Sequence, residues 1–293
     1  MTVTVATHSG PFHADDVLAW TLLCCFVDAD ARLVRTRDPA ELAKADIVLD
    51  VGGIYDPSKR RFDHHQSSYA GPLSSAGMVL TWLADDERID RKLAQQLRLR
   101  LVDYGDAVDN GVVAPRLGVP CFPNMVRATN QLASEHAEFD KAFLHAAKLA
   151  DVLVRGIVAG FEAQKVATAL VLGAMKNAEE AGRAVMFMDR YCNWKEIYFA
   201  HGGESHPTDY VIHPATDGSW RIVCIPPKEG DFGQKKPLPL AWAGLSNAEL
   251  SNIVGVDGAV FCHKNRFIAV FETREAAIKT LEIHGMMYRA NSE

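Results

Sequence analysis

Short apolar runs alternate with longer helical patterns over the first third of the chain. Residues 3–7, 32–35 and 46–51 are short runs rich in valine and leucine, which is the pattern of β-strands. An apolar helical pattern runs from about residue 15 to residue 27, and a shorter helix is predicted over residues 39–44. Strands that alternate with helices favour a mostly parallel sheet, so this part of the chain is predicted to have the α/β class.

The pattern changes twice further along the chain. Residues 75–178 are predicted to be mainly helical, with a break rich in glycine and proline at residues 105–123, and the longest helical stretch covers residues 134–177. After Gly182 the pattern predicts a final helix over residues 274–285, preceded by strands at residues 184–188, 210–213, 221–225, 259–263 and 266–271. We therefore expect two domains, an α/β domain with its helical connector at residues 1–180 and a smaller α+β domain at residues 181–293.

Composition and charge limit the kinds of molecule that the protein is expected to bind. The 293 residues are 48% hydrophobic and 23% charged, which is the balance of a soluble globular protein. The net charge of −6 gives no general attraction for nucleic acid or for an anionic membrane, so a polyanionic substrate would need a local patch or a metal. The six cysteines form no C-x-x-C pair, no secretory signal opens the sequence, and no apolar run reaches the roughly 18 residues needed to span a bilayer. We therefore expect a cytoplasmic protein without a membrane partner.

Histidine and aspartate residues gather in four short clusters before residue 110. His8 and Asp50 each follow a predicted strand, and open parallel sheets bind ligands at the carboxyl ends of their strands. These side chains therefore lie where the architecture places binding sites. In chain order, the clusters are His8, His13, Asp15 and Asp16; Asp50 and Asp56; Asp63, His64 and His65; and Asp103, Asp106 and Asp109.

The chemistry of these side chains suits a pair of divalent cations. Carboxylate oxygen binds hard cations, histidine nitrogen shifts the preference towards transition metals, and the set contains no thiolate. We therefore expect Mn²⁺ first, with Mg²⁺, Co²⁺ and Zn²⁺ as alternatives. Two metals roughly 3.5 to 4 Å apart need a shared carboxylate and several terminal ligands, which is about what the four clusters supply. Such a pair polarises a phosphoryl group and lowers the pKa of bridging water, so hydrolysis of a phosphoester or phosphoanhydride is the expected reaction.

Some of the same residues have ordinary structural roles as alternatives. Asp16 lies at a predicted helix start and could interact with the helix dipole, and Asp103 could cap or solvate its helix. Asp109 precedes Asn110-Gly111, a sequence typical of a tight turn. Residues 201–206 contain two histidines but are interpreted as an exposed loop rather than a metal site, because the segment is rich in glycine.

Four spaced motifs occur in order along the first part of the chain: residues 8–16 (HSGPFHADD), 50–56 (DVGGIYD), 61–66 (RFDHHQ) and 106–111 (DAVDNG). Together they resemble the Myg family, a branch of the DHH phosphoesterase superfamily that also contains RecJ-type exonucleases and family II inorganic pyrophosphatases. The resemblance extends through residues 238–245 (LPLAWAGL) and 258–263 (GAVFCH), while residues 115–180 match only in helical character. It implies a DHH-type parallel-sheet N-terminal domain with a helical connector, followed by a smaller α+β domain that binds substrate.

The resemblance also implies roles for individual residues. Asp50 would bridge two metals, and His65 would face the scissile phosphate while Asp63 orients a ligand or supports the loop. Asp16 and Asp109 are candidate supporting residues. The terminal metal ligands would be His8 or His13 on one metal, His64 and Asp106 on the other, and Asp15 on either of them.

The second domain supplies the candidate substrate-binding residues. Lys235, Lys236 and His263 lie in a part of the chain enriched in positive charge, and members of the superfamily grip their substrate with a second domain that closes over the first. A solvated charged face is the alternative. The family usually shows an arginine before the Leu-Pro of residues 238–239, whereas this chain has GQKKP at residues 233–237.

Three functions are compatible with this pattern. The first is a metal-dependent phosphoesterase; some Myg members are described as 3′–5′ RNA exonucleases, so a 3′–5′ exonuclease or oligonucleotide phosphodiesterase with a two-metal site is the main expectation. Its partner would be a phosphate-containing substrate such as RNA or an oligonucleotide. The second is a small-molecule phosphohydrolase for pyrophosphate or a nucleotide. The third is a non-catalytic binding protein whose metals only stabilise the fold, although structural metal sites are usually closed by cysteine and histidine rather than by carboxylates.

Overall fold

The computed structural model of the protein describes residues 2–115, 118–135 and 137–288. The chain divides into two units, Met1–Glu162 and Ala163–Glu293. The boundary between them falls within one long helix, Glu138–Glu180. The division predicted at residue 180 coincides with the last residue of that helix and stays a prediction.

The first unit is built on a five-stranded, largely parallel sheet. Its strands are β1 (Thr4–Thr7), β2 (Arg32–Arg35), β3 (Ile47–Leu49), β4 (Tyr55–Asp56) and β5 (Arg61–Phe62). They lie in the order β2-β1-β3-β5-β4, and of the four strand pairs described the β4–β5 hairpin alone is antiparallel. Parallel neighbours need crossover connections, and helices supply these in α/β proteins. The predicted α/β class is therefore confirmed.

Helix α1 (Ala14–Phe26) is central to this unit. Its first ten residues are all buried, because it packs on β3 and is covered by other helices. The remaining helices are α2 (Pro39–Lys44), α3 (Ser75–Asp85), α4 (Arg91–Leu97), α5 (Asp103–Asp109), α6 (Phe122–Asn130) and the first part of α7 (Glu138–Glu180). A π-helical turn, Arg98–Val102, separates α4 from α5. The apolar pattern that predicts α1 thus belongs to a helix whose first ten residues are enclosed on all sides.

The strand register brings three chain segments to one edge of the first sheet. β1 pairs with β3, and β3 with β5, in the same direction and with their ends in register. His8 follows the last residue of β1, Asp50 follows that of β3, and Asp63 follows that of β5. Because parallel strands end side by side, these three residues start from neighbouring positions at the carboxyl edge.

The second unit contains a mixed sheet and is of the α+β type. Its strands are β6 (Val185–Phe187), β7 (Tyr210–Pro214), β8 (Trp220–Cys224), β9 (Ala259–Cys262) and β10 (Ile268–Phe271). They lie in the order β6-β7-β8-β10-β9, in which β6 and β7 are parallel and the other described pairs are antiparallel. All five predicted strands are found, with ends within two residues of the predicted ones. The predicted α+β class of this part of the chain is confirmed.

The helices of the second unit are short apart from the end of α7. They are α8 (Trp194–Ala200), α9 (Asn247–Val254) and α10 (Arg274–Ile283). The last of these has the predicted start and ends two residues before the predicted end. In the described parts of the chain, no helix combines the length and the apolar character needed to cross a membrane.

Candidate metal centre

Asp50 is the residue around which the other candidate side chains gather. It follows β3 with a left-handed backbone, φ +53°, which aspartate tolerates better than most residues, and it is buried. Asp50 Oδ2 lies 3.2 Å from His8 Nε2, and Asp50 Oδ1 lies 3.3 Å from His64 Nε2. The two oxygens of one carboxylate therefore face two different histidines, which is the arrangement that a shared metal ligand requires.

One group of potential ligands consists of His8, His13 and Asp50, whose ligand atoms all lie within 4.8 Å of one another. The Nδ1–H of His8 donates to the Ser9 carbonyl at 3.3 Å, so Nε2 is the atom left for a cation. Asp16 supports both histidines, since its Oδ1 accepts the backbone N–H of His13 at 3.0 Å and its Oδ2 lies 3.3 Å from His8 Nε2. The same contact with His13 closes the first turn of α1, so Asp16 also stabilises the helix start.

A second group gathers around His64. His64 Nε2 lies 3.1 Å from Asp109 Oδ2, 3.3 Å from Asp50 Oδ1 and 3.8 Å from Asp15 Oδ2. Asp15 is fully buried at the start of α1, and Asp109 is the last residue of α5. His13 approaches this group as well, because its Nδ1 lies 3.7 Å from Asp109 Oδ1. The structure therefore brings residues from all four sequence clusters together.

Asn110 fixes the orientation of His64. Its Oδ1 accepts the Nδ1–H of His64 at 3.1 Å, and its Nδ2 donates to the Pro72 carbonyl at 3.0 Å. Since the second bond fixes which end of the amide faces the ring, His64 presents Nε2 to the carboxylates. The Asn-Gly pair in the sequence predicts only a tight turn, because a contact with a residue 46 positions earlier leaves no local signal.

Asn110→Ala is expected to weaken metal binding about 10- to 100-fold, because the His64 ring then loses the contact that orients it. Asn110→Asp keeps an acceptor for the ring and should lose less. Titration of the metal-free, full-length protein with Mn²⁺ measures the affinity, and Asn177→Ala at an exposed position of α7 is the matched control. Equal affinities of Asn110→Ala and the control would show that Asn110 does not position the ligand.

Asp106 belongs to neither of these groups of described residues. Its Oδ1 accepts the Ser74 hydroxyl at 2.6 Å and the Gly77 N–H at 3.1 Å, and burial raises the pKa of this carboxyl to about 6. A Cβ on Gly77 would collide with Asp106 Oδ2, so this close approach requires glycine. Asp106 thus ties α5 to the start of α3, whereas Asp109, three residues later, faces His64.

Asp63 fixes the loop that carries His65. Asp63 Oδ1 accepts both the backbone N–H and the Nδ1–H of His65, at 3.0 and 2.8 Å, and Asp63 Oδ2 accepts the Gly53 N–H at 2.6 Å. The His65 side chain is 58% exposed and lines a cleft of about 370 Å³ together with His8 and Asp50. Because Asp63 holds Nδ1, Nε2 is the atom that can reach a ligand in the cleft.

Arg35 holds the loop between β1 and α1 in place. Its guanidinium is buried, with its central carbon 5.3 Å from the ring centroid of Phe12 and 4.9 Å from that of Phe143. One nitrogen donates to the Gly10 carbonyl at 2.7 Å, and another donates to Asp140 on α7 at 3.1 Å. Because the guanidinium of Arg35 is held on several sides, it restrains this loop. His8 is therefore in position before any ligand binds.

Buried polar atoms and crowded negative charge fit a cation at this centre. Asp15 Oδ1, Asp50 Oδ2 and His64 Nε2 are buried, and no described residue gives them a well-aligned hydrogen bond. Burial raises the pKa of Asp15 well above its usual range, and the nearby carboxylates of Asp50 and Asp109 raise it further. Burial also raises the pKa of Asp16 to about 7. Buried like charges need compensation, and oxygen and imidazole donors without thiolate suit a divalent metal.

Metal binding is expected to strengthen as the pH rises from about 6 to about 8. Burial acts to lower the pKa of His64, but the carboxylates of Asp109 and Asp50 outweigh it and raise this pKa to about 10. Burial also acts to lower the pKa of His8. The carboxylate of Asp50 is the main group that outweighs it, so the pKa of His8 is raised as well. A metal cation must displace these protons when it binds. For each proton displaced, the metal affinity rises about tenfold per unit increase in pH.

Calorimetric titration with Mn²⁺ in two buffers of different ionisation enthalpy measures the number of protons released. An affinity that does not change with pH over this range would contradict the expectation.

The three candidate substrate-binding residues lie in the second unit and have different surroundings. Lys235 is half-buried, and its ammonium donates to the Tyr198 hydroxyl and to two backbone carbonyls. Lys236 is exposed, and the half-buried His263 has its ring centroid 4.5 Å from that of Phe267. The three donors of Lys235 are thus engaged within the unit, and the role of all three residues in substrate binding stays a prediction.

Relatives of known sequence cover nearly the whole chain. The family model MYG1_exonuc, described as an uncharacterised protein family (UPF0160), matches residues 4–283. A MYG1 protein of Chlamydia trachomatis is 37% identical over 282 residues, which are 96% of this chain and 96% of that protein. The human MYG1 exonuclease is 31% identical over 317 residues, with 94% of this chain and 83% of the human protein covered.

Among solved structures, RecJ from Thermus thermophilus in complex with Mn²⁺ aligns with 14% sequence identity and a TM-score of 0.30. The alignment covers 96% of this chain and 51% of RecJ, so the chain spans about half the length of that protein. The sequence relatives confirm the resemblance carried by the four motifs, and the chain belongs to the MYG1_exonuc family, UPF0160.

Proposed function

We propose that this protein is a metal-dependent exonuclease that hydrolyses phosphoester bonds of RNA or oligonucleotides with the help of two divalent cations. The observation that carries the proposal is the carboxylate of Asp50, whose two oxygens face His8 and His64. The buried polar atoms around it support a metal. The name of the human relative, an exonuclease, supports a nucleic-acid substrate.

The two cations would take different histidines. We place Asp109 rather than Asp106 among the ligands, because Asp109 approaches His64 Nε2 while Asp106 is bonded to α3. Mn²⁺ is the ion expected first, since the mixture of imidazole and carboxylate donors suits it. The proposed ligands are His8 and His13 on one ion, Asp15, His64 and Asp109 on the other, and Asp50 on both.

The cations would neutralise charge on a bound phosphate and lower the pKa of an attacking water. The chain itself positions groups and moves a proton. Asp63 accepts the Nδ1–H of His65, so in the imidazolium form of His65 the Nε2–H would donate to a phosphate oxygen or pass its proton to the departing oxygen. Asn110 holds His64, and Arg35 holds the loop that carries His8, so the ligands need little rearrangement when substrate binds.

End-labelled RNA and DNA oligonucleotides incubated with the full-length protein and Mn²⁺ test this function. We expect stepwise release of mononucleotides from the 3′ end, and we expect a chelator to stop it. Parallel reactions with Mg²⁺, Co²⁺ and Zn²⁺ identify the preferred ion. Release of mononucleotides from the 5′ end would contradict the proposed 3′–5′ polarity. A failure to shorten any oligomer would contradict the proposed exonuclease activity.

Pyrophosphate and mononucleotides belong in the same panel of substrates. Release of inorganic phosphate from these compounds, without shortening of any oligomer, would select a small-molecule phosphohydrolase instead.

A further inference from the structure

A second cavity adjoins the cleft of the metal centre within the first unit. It has a volume of about 620 Å³, which is within the range of pockets that bind small molecules, and α2 and the segment from β3 to β5 line it. The cavity and the cleft share Arg37, Val51 and Gly52, and the cleft also contains Asp50 and His65. A ligand held in the cleft can therefore extend into this cavity.

Arg37 lies where the two cavities meet. Its exposed side chain makes no hydrogen bond or ion pair with any residue in the described ranges. Arg35, two residues earlier, is by contrast buried and bonded to Gly10 and Asp140. An unengaged guanidinium beside a cleft suited to phosphate chemistry can form two parallel hydrogen bonds to a phosphate group.

Apart from Arg61, the other side chains that line the cavity are apolar. Leu42 and Val48 are buried in its lining, and Ile54 is 51% exposed. Arg61 also lines the cavity, with its guanidinium held by backbone carbonyls. Among the residues that line the cavity, none has an amide, hydroxyl or carboxylate side chain. These walls can hold a flat group of low polarity, but their side chains offer few hydrogen bonds with which to distinguish one base from another.

We propose that this cavity binds the sugar and base of a nucleotide next to the scissile phosphate, while Arg37 contacts a phosphate oxygen of that nucleotide. The assignment rests on the proposed function, which places a phosphodiester at Asp50. An anion joined to a flat, largely apolar group matches the chemistry of Arg37 and of the walls, and a nucleoside phosphate has both parts. Aliphatic and guanidinium surfaces accept every base, so binding should depend little on base identity.

Binding of AMP and of inorganic phosphate to the full-length, Mn²⁺-loaded protein tests the assignment. We expect AMP to bind at least about tenfold more tightly than inorganic phosphate, and CMP, GMP and UMP to bind within about threefold of AMP. Ile54→Asp should remove most of the preference for AMP, whereas Arg37→Ala should weaken the binding of AMP and of inorganic phosphate alike. Both positions are exposed, so folding should persist. Arg91→Ala, exposed at the start of α4 and outside both cavities, is the matched control.

Equal affinity of the wild-type protein for AMP and inorganic phosphate, or unchanged AMP binding by both variants, would overturn the assignment. The result is separable from that for the proposed function. If the protein shortens RNA but both variants keep the wild-type KM for oligonucleotides, the cavity assignment fails and the exonuclease stands. If no oligomer is shortened but AMP binding is sensitive to both variants, the nucleotide site stands and the exonuclease fails.

Discussion

Asp50→Asn is expected to abolish binding of the metal pair and to lower hydrolysis by on the order of 10³-fold or more. Asparagine has nearly the shape of aspartate and tolerates the left-handed backbone at this position, so the fold should persist. Its amide is neutral and has one acceptor oxygen, whereas Asp50 presents an oxygen to each of His8 and His64. Metal content by mass spectrometry after gel filtration, together with the hydrolysis rate, measures both effects.

The charge of Asp50 is the reason to expect so large a loss. Burial opposes ionisation of this carboxyl, but the contacts with His64 and His8 outweigh burial and lower its pKa below the usual range. Asp85→Asn is the matched control, because Asp85 is an exposed carboxylate at the end of α3. If Asp50→Asn kept two ions per chain at wild-type affinity, a shared carboxylate could not be what holds them.

His65→Asn is expected to keep both metals and to lower kcat by about 10²- to 10⁴-fold. The amide nitrogen of asparagine can replace Nδ1 as the donor to Asp63, so the loop should keep its structure, but nothing replaces Nε2. His65→Gln places an amide nitrogen near the position of Nε2 and should recover part of the rate. Metal content and kcat, measured on the same preparations, separate loss of a substrate contact from loss of the metal centre.

These variants also distinguish an enzyme from a binding protein whose metals only stabilise the fold. In a binding protein of that kind, His65→Asn would have the wild-type metal content and the wild-type function. His145→Asn, at an exposed position of α7, controls for the removal of a histidine as such.

Most strands and helices could be predicted because each carries its own periodic pattern. β2 and α2 have the predicted bounds, residues 32–35 and 39–44. The β4–β5 hairpin has no counterpart in the prediction, since two strands of two residues each are too short to show alternation. The helices α8 and α9 are also absent from it, because seven and eight residues give barely two turns of helical period.

The candidate metal centre could be predicted as a set of residues that lie close together, but not as individual contacts. Asp106 and Asp109 lie three residues apart on α5, which is a rise of about 4.5 Å along a helix. That displacement is enough for Asp106 to meet Ser74 while Asp109 meets His64. The π-helical turn Arg98–Val102 directly precedes α5, and no pattern in the sequence indicates it.

The unequal exposure of the histidines implies that the two ions would exchange with solution at different rates. The side chain of His13 is 58% exposed and that of His64 is 7% exposed, while Arg35 restrains the loop that carries His8. An ion on the His13 side loses one of its three proposed ligands when this surface side chain turns away, whereas the side chains proposed to hold the ion beside His64 are at most 12% exposed. Dilute chelator should therefore produce a long-lived form with one ion, and partly stripped preparations would hold the two metals in unequal amounts.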